Sequence, residues 1–330
     1  MSKKTIATIR NSLELPIIMA PMFLISNPTM VIKACEAGIV GSFPALNART
    51  KETLEEWMIQ ITGELEQLKK KYPTKKIAPW AVNFISHRTN KRYVEDLELV
   101  GKYQPPIVIT SLGDPSPVVK VVHEYGGIVL SDVINIKFAK KAIEKGTDGL
   151  ILVASGAGGH AGILNPISFI HEVKEFWDGP IVLAGGISKG KDILAAEVLG
   201  ADLVYMGSRF IAANESLAVD EYKEMVINST IEDVIYTDAF SGVKANYLIP
   251  SIEKAGLDPS NLEEKKEINF TSVNSNPEVK AWKDIWGAGH GVGAITKVQS
   301  VAEIIEELQV SYVEAKTAIL NDREQTLQRG

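Results

Sequence analysis

His160 is the residue of this 330-residue chain that is best placed to do chemistry. It lies in Leu150-Ile-Leu-Val-Ala-Ser-Gly-Ala-Gly-Gly-His-Ala-Gly162, an apolar run that breaks into glycines. Imidazole titrates near physiological pH and can take or give a proton. The glycines at 156, 158, 159 and 162 remove Cβ atoms and permit positive φ, so the backbone can press against a flat or anionic ligand. Taken alone, the stretch also reads as a glycine-rich turn with a solvated histidine.

Two more glycine motifs follow apolar runs: Ala184-Gly185-Gly186-Ile187 and Met206-Gly207-Ser208-Arg209-Phe210. In barrels the amides of the loops after strands seven and eight form a phosphate site; as bare motifs they also suit tight turns. Ala20-Pro21-Met22 ends another apolar run, and Asn83 closes a third. A small residue, a thioether and an amide suit a buried flat ring with polar edges such as an isoalloxazine. Met22 alone reads equally as core. His87 falls in a polar loop, His123 and His171 fall on helix-like segments, and His290 sits in a second glycine-rich loop, Trp286-Gly-Ala-Gly-His-Gly-Val-Gly293, that could reach the same place. The sequence contains no HxH, HExxH or carboxylate-paired histidine set, so no catalytic metal is expected.

The elements that must position these residues alternate. Short apolar runs at 16–22, 38–43, 77–84, 106–111, 127–131, 150–154, 180–187 and 202–208 read as strands, and amphipathic segments at 28–37, 51–71, 135–145, 166–176 and 189–199 read as helices. Gly146 and Gly200 stand just past two of those helices, where a C′ glycine belongs. This pattern predicts an α/β fold, a (β/α)8 TIM barrel, with its chemistry at the C-terminal ends of the strands. The repeat is lost from about 211 to 279, where helix-like Ser216–Asn228 gives way to stretches such as Asn269–Pro277. That segment is expected as a mostly helical cap inserted after strand eight. Residues 1–210 plus 281–330 then form the barrel, residues 211–280 the cap, and Ser300–Gln328 the closing helix.

With 45% hydrophobic residues the chain can bury a large core. Its net charge of −6, with basic residues scattered, gives no polyanion-binding face, so no nucleic-acid partner is expected. The single cysteine, Cys35, excludes an intrachain disulfide framework and reads as a small buried hydrophobe. The first residues carry charge without an apolar segment, and no run approaches the roughly 20 apolar residues of a membrane span. A reducing cytoplasm is therefore the expected compartment, without membrane attachment.

Pro16-Ile-Ile-Met-Ala-Pro-Met22, Gly156-Ala-Gly-Gly-His-Ala-Gly162, Ala184-Gly-Gly-Ile187, Gly207-Ser-Arg-Phe210 and Gly287-Ala-Gly-His-Gly-Val-Gly293 together resemble, in order, the nitronate monooxygenase family, formerly called 2-nitropropane dioxygenases. The resemblance implies a TIM barrel holding FMN non-covalently under a helical cap. His160 then matches the catalytic base, and Ala184, Gly185, Gly186, Met206, Gly207 and Ser208 match the phosphate cradle and its strand ends. Ala20, Pro21, Met22, Asn83, Gly158 and Gly159 match positions beside the flavin. Family members often carry lysine and glutamine at the ends of strands five and six, where Ser131 and Val153 stand here. The late loop has His290 in place of glutamine, and Phe240-Ser241-Gly-Val-Lys-Ala-Asn-Tyr247 resembles a cap segment without its arginine; His290, Phe240 and Ser241 are expected at the substrate pocket.

The implied reaction uses FMN to oxidise nitronates or nitroalkanes, such as propionate 3-nitronate, with O2 to a carbonyl compound and nitrite. His160 acts as base or positioning group, and a homodimer is left open. Two alternatives stay open. One is an FMN-dependent NAD(P)H enoyl-thioester reductase, which shares the barrel and the glycine-glycine-histidine motif; the other is a flavin-free barrel that binds a phosphate ligand.

Overall fold

The computed structural model describes residues 3–87, 89–264 and 283–328. Its strands in chain order are β1 (Ile17–Met19), β2 (Gly41–Pro44), β3 (Trp80–Ile85), β4 (Ile107–Ser111), β5 (Ile128–Val133), β6 (Gly149–Val153), β7 (Gly159–His160), β8 (Ile181–Ala184), β9 (Leu203–Met206), β10 (Val234–Thr237) and β11 (Ala245–Leu248). Eight of them form one parallel sheet in the order β1-β9-β8-β6-β5-β4-β3-β2. A parallel bridge between Ile18 and Val40 brings its two edges together. The architecture is the expected α/β barrel, and β8 and β9 are its seventh and eighth strands.

The helices are α1 (Lys3–Asn11), α2 (Pro28–Glu36), α3 (Lys51–Lys71), α4 (Tyr93–Tyr103), α5 (Ser116–Glu124), α6 (Ile136–Glu144), α7 (Pro166–Lys174), α8 (Gly190–Leu199), α9 (Asp220–Asn228), α10 (Ile249–Lys254) and α11 (Val301–Gln328). Asn27, Asn135 and Asn165 begin α2, α6 and α7, each accepting a bond from an amide of the first turn, which satisfies donors that the helix leaves open. Helices α8 and α11 touch backbone to backbone: a Cβ on Gly190 would fall 2.1 Å from the amide nitrogen of Tyr312. At the opposite end from the glycine loops, Arg10 of α1 donates to the carbonyl of Asp202 at 2.7 Å. No helix among the described residues is long and apolar enough to cross a membrane.

Side chains alternate across a pleated strand, so the pairing register decides which residues share a face. Met19, Leu152, Leu183, Val204 and Met206 pack with Phe169, Ile170, Ile193 and Val301 of the surrounding helices. The other face therefore points into the barrel. Registers Asn83↔Ile109, Ile109↔Leu130, Asp132↔Ile151, Val153↔Ala184 and Ala184↔Tyr205 place these residues on that inner face.

Among the described residues, no strand after β9 joins the eight-stranded sheet. The segment after β9 contains α9 and α10, but also β10 and β11, paired antiparallel from Val234↔Leu248 to Thr237↔Ala245. A mostly helical cap does not describe the end nearest the barrel. Val234-Ile-Tyr-Thr237 is β-branched and aromatic, which suits a pleated surface, and β11 is buried along its length. Helix α9 begins at Asp220 rather than at the expected Ser216. The expected cap boundary near 280 and the stretch Asn269–Pro277 lie outside the described residues.

Candidate active site

The inner face becomes polar where β3, β4, β5 and β9 end. Asn83 donates to the carbonyl of Ile109 at 3.1 Å and to Ser111 Oγ at 2.7 Å. Ser111 Oγ in turn donates to Asp132 Oδ2 at 2.5 Å. Both amide hydrogens of Asn83 are thus used, leaving its carbonyl oxygen to accept. Across the barrel, Tyr205 interacts electrostatically with Asp132. Ser111, Asp132 and Tyr205 point inward yet stay partly accessible to solvent.

Two polar atoms there have no hydrogen-bond partner, Asp132 Oδ1 and the Tyr205 hydroxyl, and both are buried. Burial raises the Asp132 carboxyl to about 7, against the opposing bond from Ser111. Burial, and then the neighbouring Asp132, push the Tyr205 phenol well above its usual value.

The register corrects two expectations about side chains. Ser131 turns away from the mouth: its hydroxyl meets Thr110 Oγ1 at 2.7 Å and Thr147 Oγ1 at 3.1 Å. The residue of β5 that faces the mouth is Asp132, one position on, as a period of two requires. Met206 is buried in the cluster against the helices, so only its backbone serves the mouth, accepting from Ala20 N at 2.9 Å. Val153 and Ala184 do face inward.

His160 is set by the cap. Its β7 backbone pairs with Ala245 of β11, and Asn246 and Tyr236 reach back to hold the carbonyls of Ala157 and Ala161, both at 2.7 Å. Ser241 Oγ approaches the carbonyl of Val243 at 2.9 Å and meets His160 Nε2 at 3.0 Å. Tyr247 OH and Val243 N also approach Ser241 Oγ, both at 3.4 Å, so the hydroxyl links the ring to the turn that carries it, and the tautomer of His160 decides which of the two donates. Burial pushes the imidazole down to about 4, so the ring is neutral at physiological pH. Ser241 stands beside the histidine as expected of a pocket residue, and Phe240 packs edge-on against Tyr247 with ring centroids 5.0 Å apart.

The glycine motifs have divided tasks. At Gly186, where φ is +69°, a Cβ would meet nothing within 4 Å, so this turn faces open space. A Cβ on Gly207 would touch Ala20 and Met22 at 3.5 and 3.7 Å, which gathers the ends of β1 and β9; Pro21 and Met22 are partly exposed there. Gly158 serves packing instead: a Cβ on it would fall 2.9 Å from the amide nitrogen of Gly289 in the late loop. Ser208 Oγ accepts from that amide at 2.8 Å. The expected pocket residue His290 is exposed, its amide bonded to the carbonyl of Gly156 at 2.9 Å and its ring over Gly156.

Sequence reasoning missed Ser111, Asp132, Tyr205, Tyr236 and Asn246. Ser111 and Tyr205 lie within the apolar runs and Asp132 one residue past one, so following the alternation along each run finds them; the last two depend on a pairing between segments distant in sequence. Among the described residues, no cluster of His, Cys, Asp and Glu could hold a metal ion.

Comparison with known proteins agrees with this geometry. The chain is 25% identical over 346 residues to a nitronate monooxygenase of Paraburkholderia phytofirmans, covering 90% of this chain and 92% of the relative. Its fold superposes on the nitroalkane oxidase of Streptomyces ansochromogenes with a TM-score of 0.78 and 22% identity, over 96% of this chain and 100% of the other. FabK from Thermotoga maritima superposes with a TM-score of 0.74 and 23% identity, over 96% and 98%. The pattern that defines nitronate monooxygenases matches residues 4–310, and the chain belongs to the nitronate monooxygenase family.

Proposed function

We propose that this protein oxidises nitronates and nitroalkanes, such as propionate 3-nitronate, with O2, using FMN and yielding a carbonyl compound and nitrite. The observation that carries the reading is the buried, neutral His160, its ring held at 3.0 Å by Ser241. A nitroalkane is a carbon acid, and a neutral imidazole suits removal of the α-proton. For a pre-formed nitronate, the same ring orients the anion.

The mouth suits a flavin. The orphaned Asp132 Oδ1 and Tyr205 hydroxyl, with the acceptor oxygen of Asn83, match the polar edge of an isoalloxazine. Gly186 leaves room for the ribityl phosphate, with the amides that open the short 3-10 turn Ser208–Phe210 as its donors. When bound, FMN takes the electrons of the substrate and passes them to oxygen. The chain's own residues orient the substrate, hold its proton and exclude water beneath the cap.

The test is oxygen uptake by the purified yellow protein with propionate 3-nitronate and with nitroethane, beside its anaerobic oxidation of NADH. Rapid uptake with nitrite release is the expected result. NADH oxidation driven by an enoyl thioester, without uptake on either nitro compound, would assign a reductase instead, and a colourless protein that cannot be reconstituted with FMN would assign a flavin-free barrel.

A further inference from the structure

Asp132 is the one acid on the inner face of the mouth among the described residues. Its Oδ2 takes the hydrogen of Ser111, whose oxygen in turn accepts from Asn83. Its Oδ1 is buried with no partner, as is the hydroxyl of Tyr205 on the facing strand. An orphaned carboxyl oxygen inside a barrel is costly unless something bound there completes it. The chain from Asn83 through Ser111 fixes the direction in which the carboxyl points.

Resting on the FMN reading above, we propose that Asp132 sets the electron affinity of the flavin. Protonated, its carboxyl donates to the ring edge that gains negative charge on reduction; ionised, it opposes that charge. Since burial raises the carboxyl to about 7, both forms are populated near neutrality. The two forms hold reduced flavin unequally, so reduction is coupled to proton uptake at this residue.

Few other groups compete for the role. Tyr205 faces Asp132 from β9 and stays neutral, its phenol pushed well above its usual value. On β4 and β3 the facing groups are Ser111 and Asn83, which do not titrate. His123 and Asp148 pair at 2.9 Å at the far end of β5, where Asp148 also accepts from the amide of Val129. The charged residues of α5 and α6, Lys120, Glu124, Lys137, Lys140, Lys141 and Glu144, are exposed, as is Asp114 after β4. His160 stays neutral, its imidazole pushed down to about 4.

The test is the two-electron midpoint potential of the FMN-loaded protein as a function of pH, for wild type, Asp132→Asn and Ser111→Ala. One extra proton per two electrons steepens the plot by about 30 mV per pH unit. Wild type is expected to show that excess in the unit above about pH 7, and Asp132→Asn to lose it. Ser111→Ala, which removes the bond that stabilises the carboxylate, moves the steep window to higher pH. A second reading avoids electrochemistry: sulfite, whose adduct also places negative charge on the ring, binds Asp132→Asn about tenfold more tightly than wild type at pH 8.5, because a like charge is gone. A variant that holds FMN with unchanged slope and unchanged sulfite affinity overturns the proposal and leaves the FMN reading standing. A wild-type protein that binds no FMN overturns both.

Discussion

His160 Nε2 and Ser241 Oγ meet at 3.0 Å across the join between barrel and cap. The histidine comes from the loop after β6, whereas the serine comes from the turn between β10 and β11. Neither element alone brings the two side chains together. Ser241→Ala is expected to retain FMN and lower nitroalkane turnover about tenfold, which corresponds to one hydrogen bond near 1.4 kcal/mol. Flavin absorbance and steady-state rates on nitroethane check it; unchanged turnover would remove Ser241 from the mechanism.

Replacing the proposed base is expected to be more severe. His160→Ala is expected to bind FMN yet lose most turnover on neutral nitroethane, while keeping a larger share on a pre-formed nitronate, which needs no proton removal. A typical general base contributes about 10²–10⁴-fold. Equal losses on the two substrates would show that the ring only positions.

The acidity of His160 has two readouts. Below about pH 4 the imidazole is protonated, so kcat/KM for nitroethane should fall tenfold per unit there and show no break from His160 near its usual 6.5. For stability, the folded ring binds a proton less readily than the unfolded one. Its contribution is therefore fully present above about 6.5 and is lost as pH falls towards 4. Asp132 runs the other way: its carboxyl is raised to about 7, so its contribution is present below the unfolded value near 3.8 and is lost as pH rises through 7. Urea titrations of wild type and His160→Ala between pH 4 and 7 should show the acid-side loss only in wild type.

Cys35 is expected to be inert. It is fully buried, its thiol pushed up to about 12 by burial, with Sγ 3.4 Å from the carbonyl of Pro79. A thiolate is the reactive form, so a thiol reagent should label the native protein negligibly and the denatured protein stoichiometrically. Rapid native labelling would contradict this burial.

Gly190 tests the closure of the barrel. A methyl group there would collide with the backbone of α11 at Leu308 and Tyr312, at 2.3 and 2.1 Å. Gly190→Ala should destabilise the fold by about 1–3 kcal/mol, the usual range for overpacking, read as a shift of the denaturation midpoint. An unchanged midpoint would mean that α8 and α11 separate freely.

The barrel was legible because each of its strands is an apolar run ended by Gly, Pro or a polar residue, and because Gly185, Gly186, Gly207 and His160 fall immediately after such runs. Reading each run as a block hid the alternation within it. Ser131 and Met206 were therefore taken for mouth residues although their side chains face the helices, while Asp132 and Tyr205 passed unnoticed. The cap strands escaped for another reason. Val234–Thr237 and Ala245–Leu248 are each four residues long, too short to stand apart from a loop, and they gain their form from pairing with each other and with Gly159-His160. The glycines around His290 allow a close crossing of two loops, where a Cβ on Gly158 would fall 2.9 Å from the amide nitrogen of Gly289.

The ladder between Gly159-His160 and Ala245-Asn246 has a consequence for how such proteins diverge. Grafting the cap of a distant relative onto this barrel would replace the partner of a residue encoded 81 positions upstream, so a chimera that folds could still misorient its base. The orientation of His160 therefore depends on residues 234–248 as much as on its own loop.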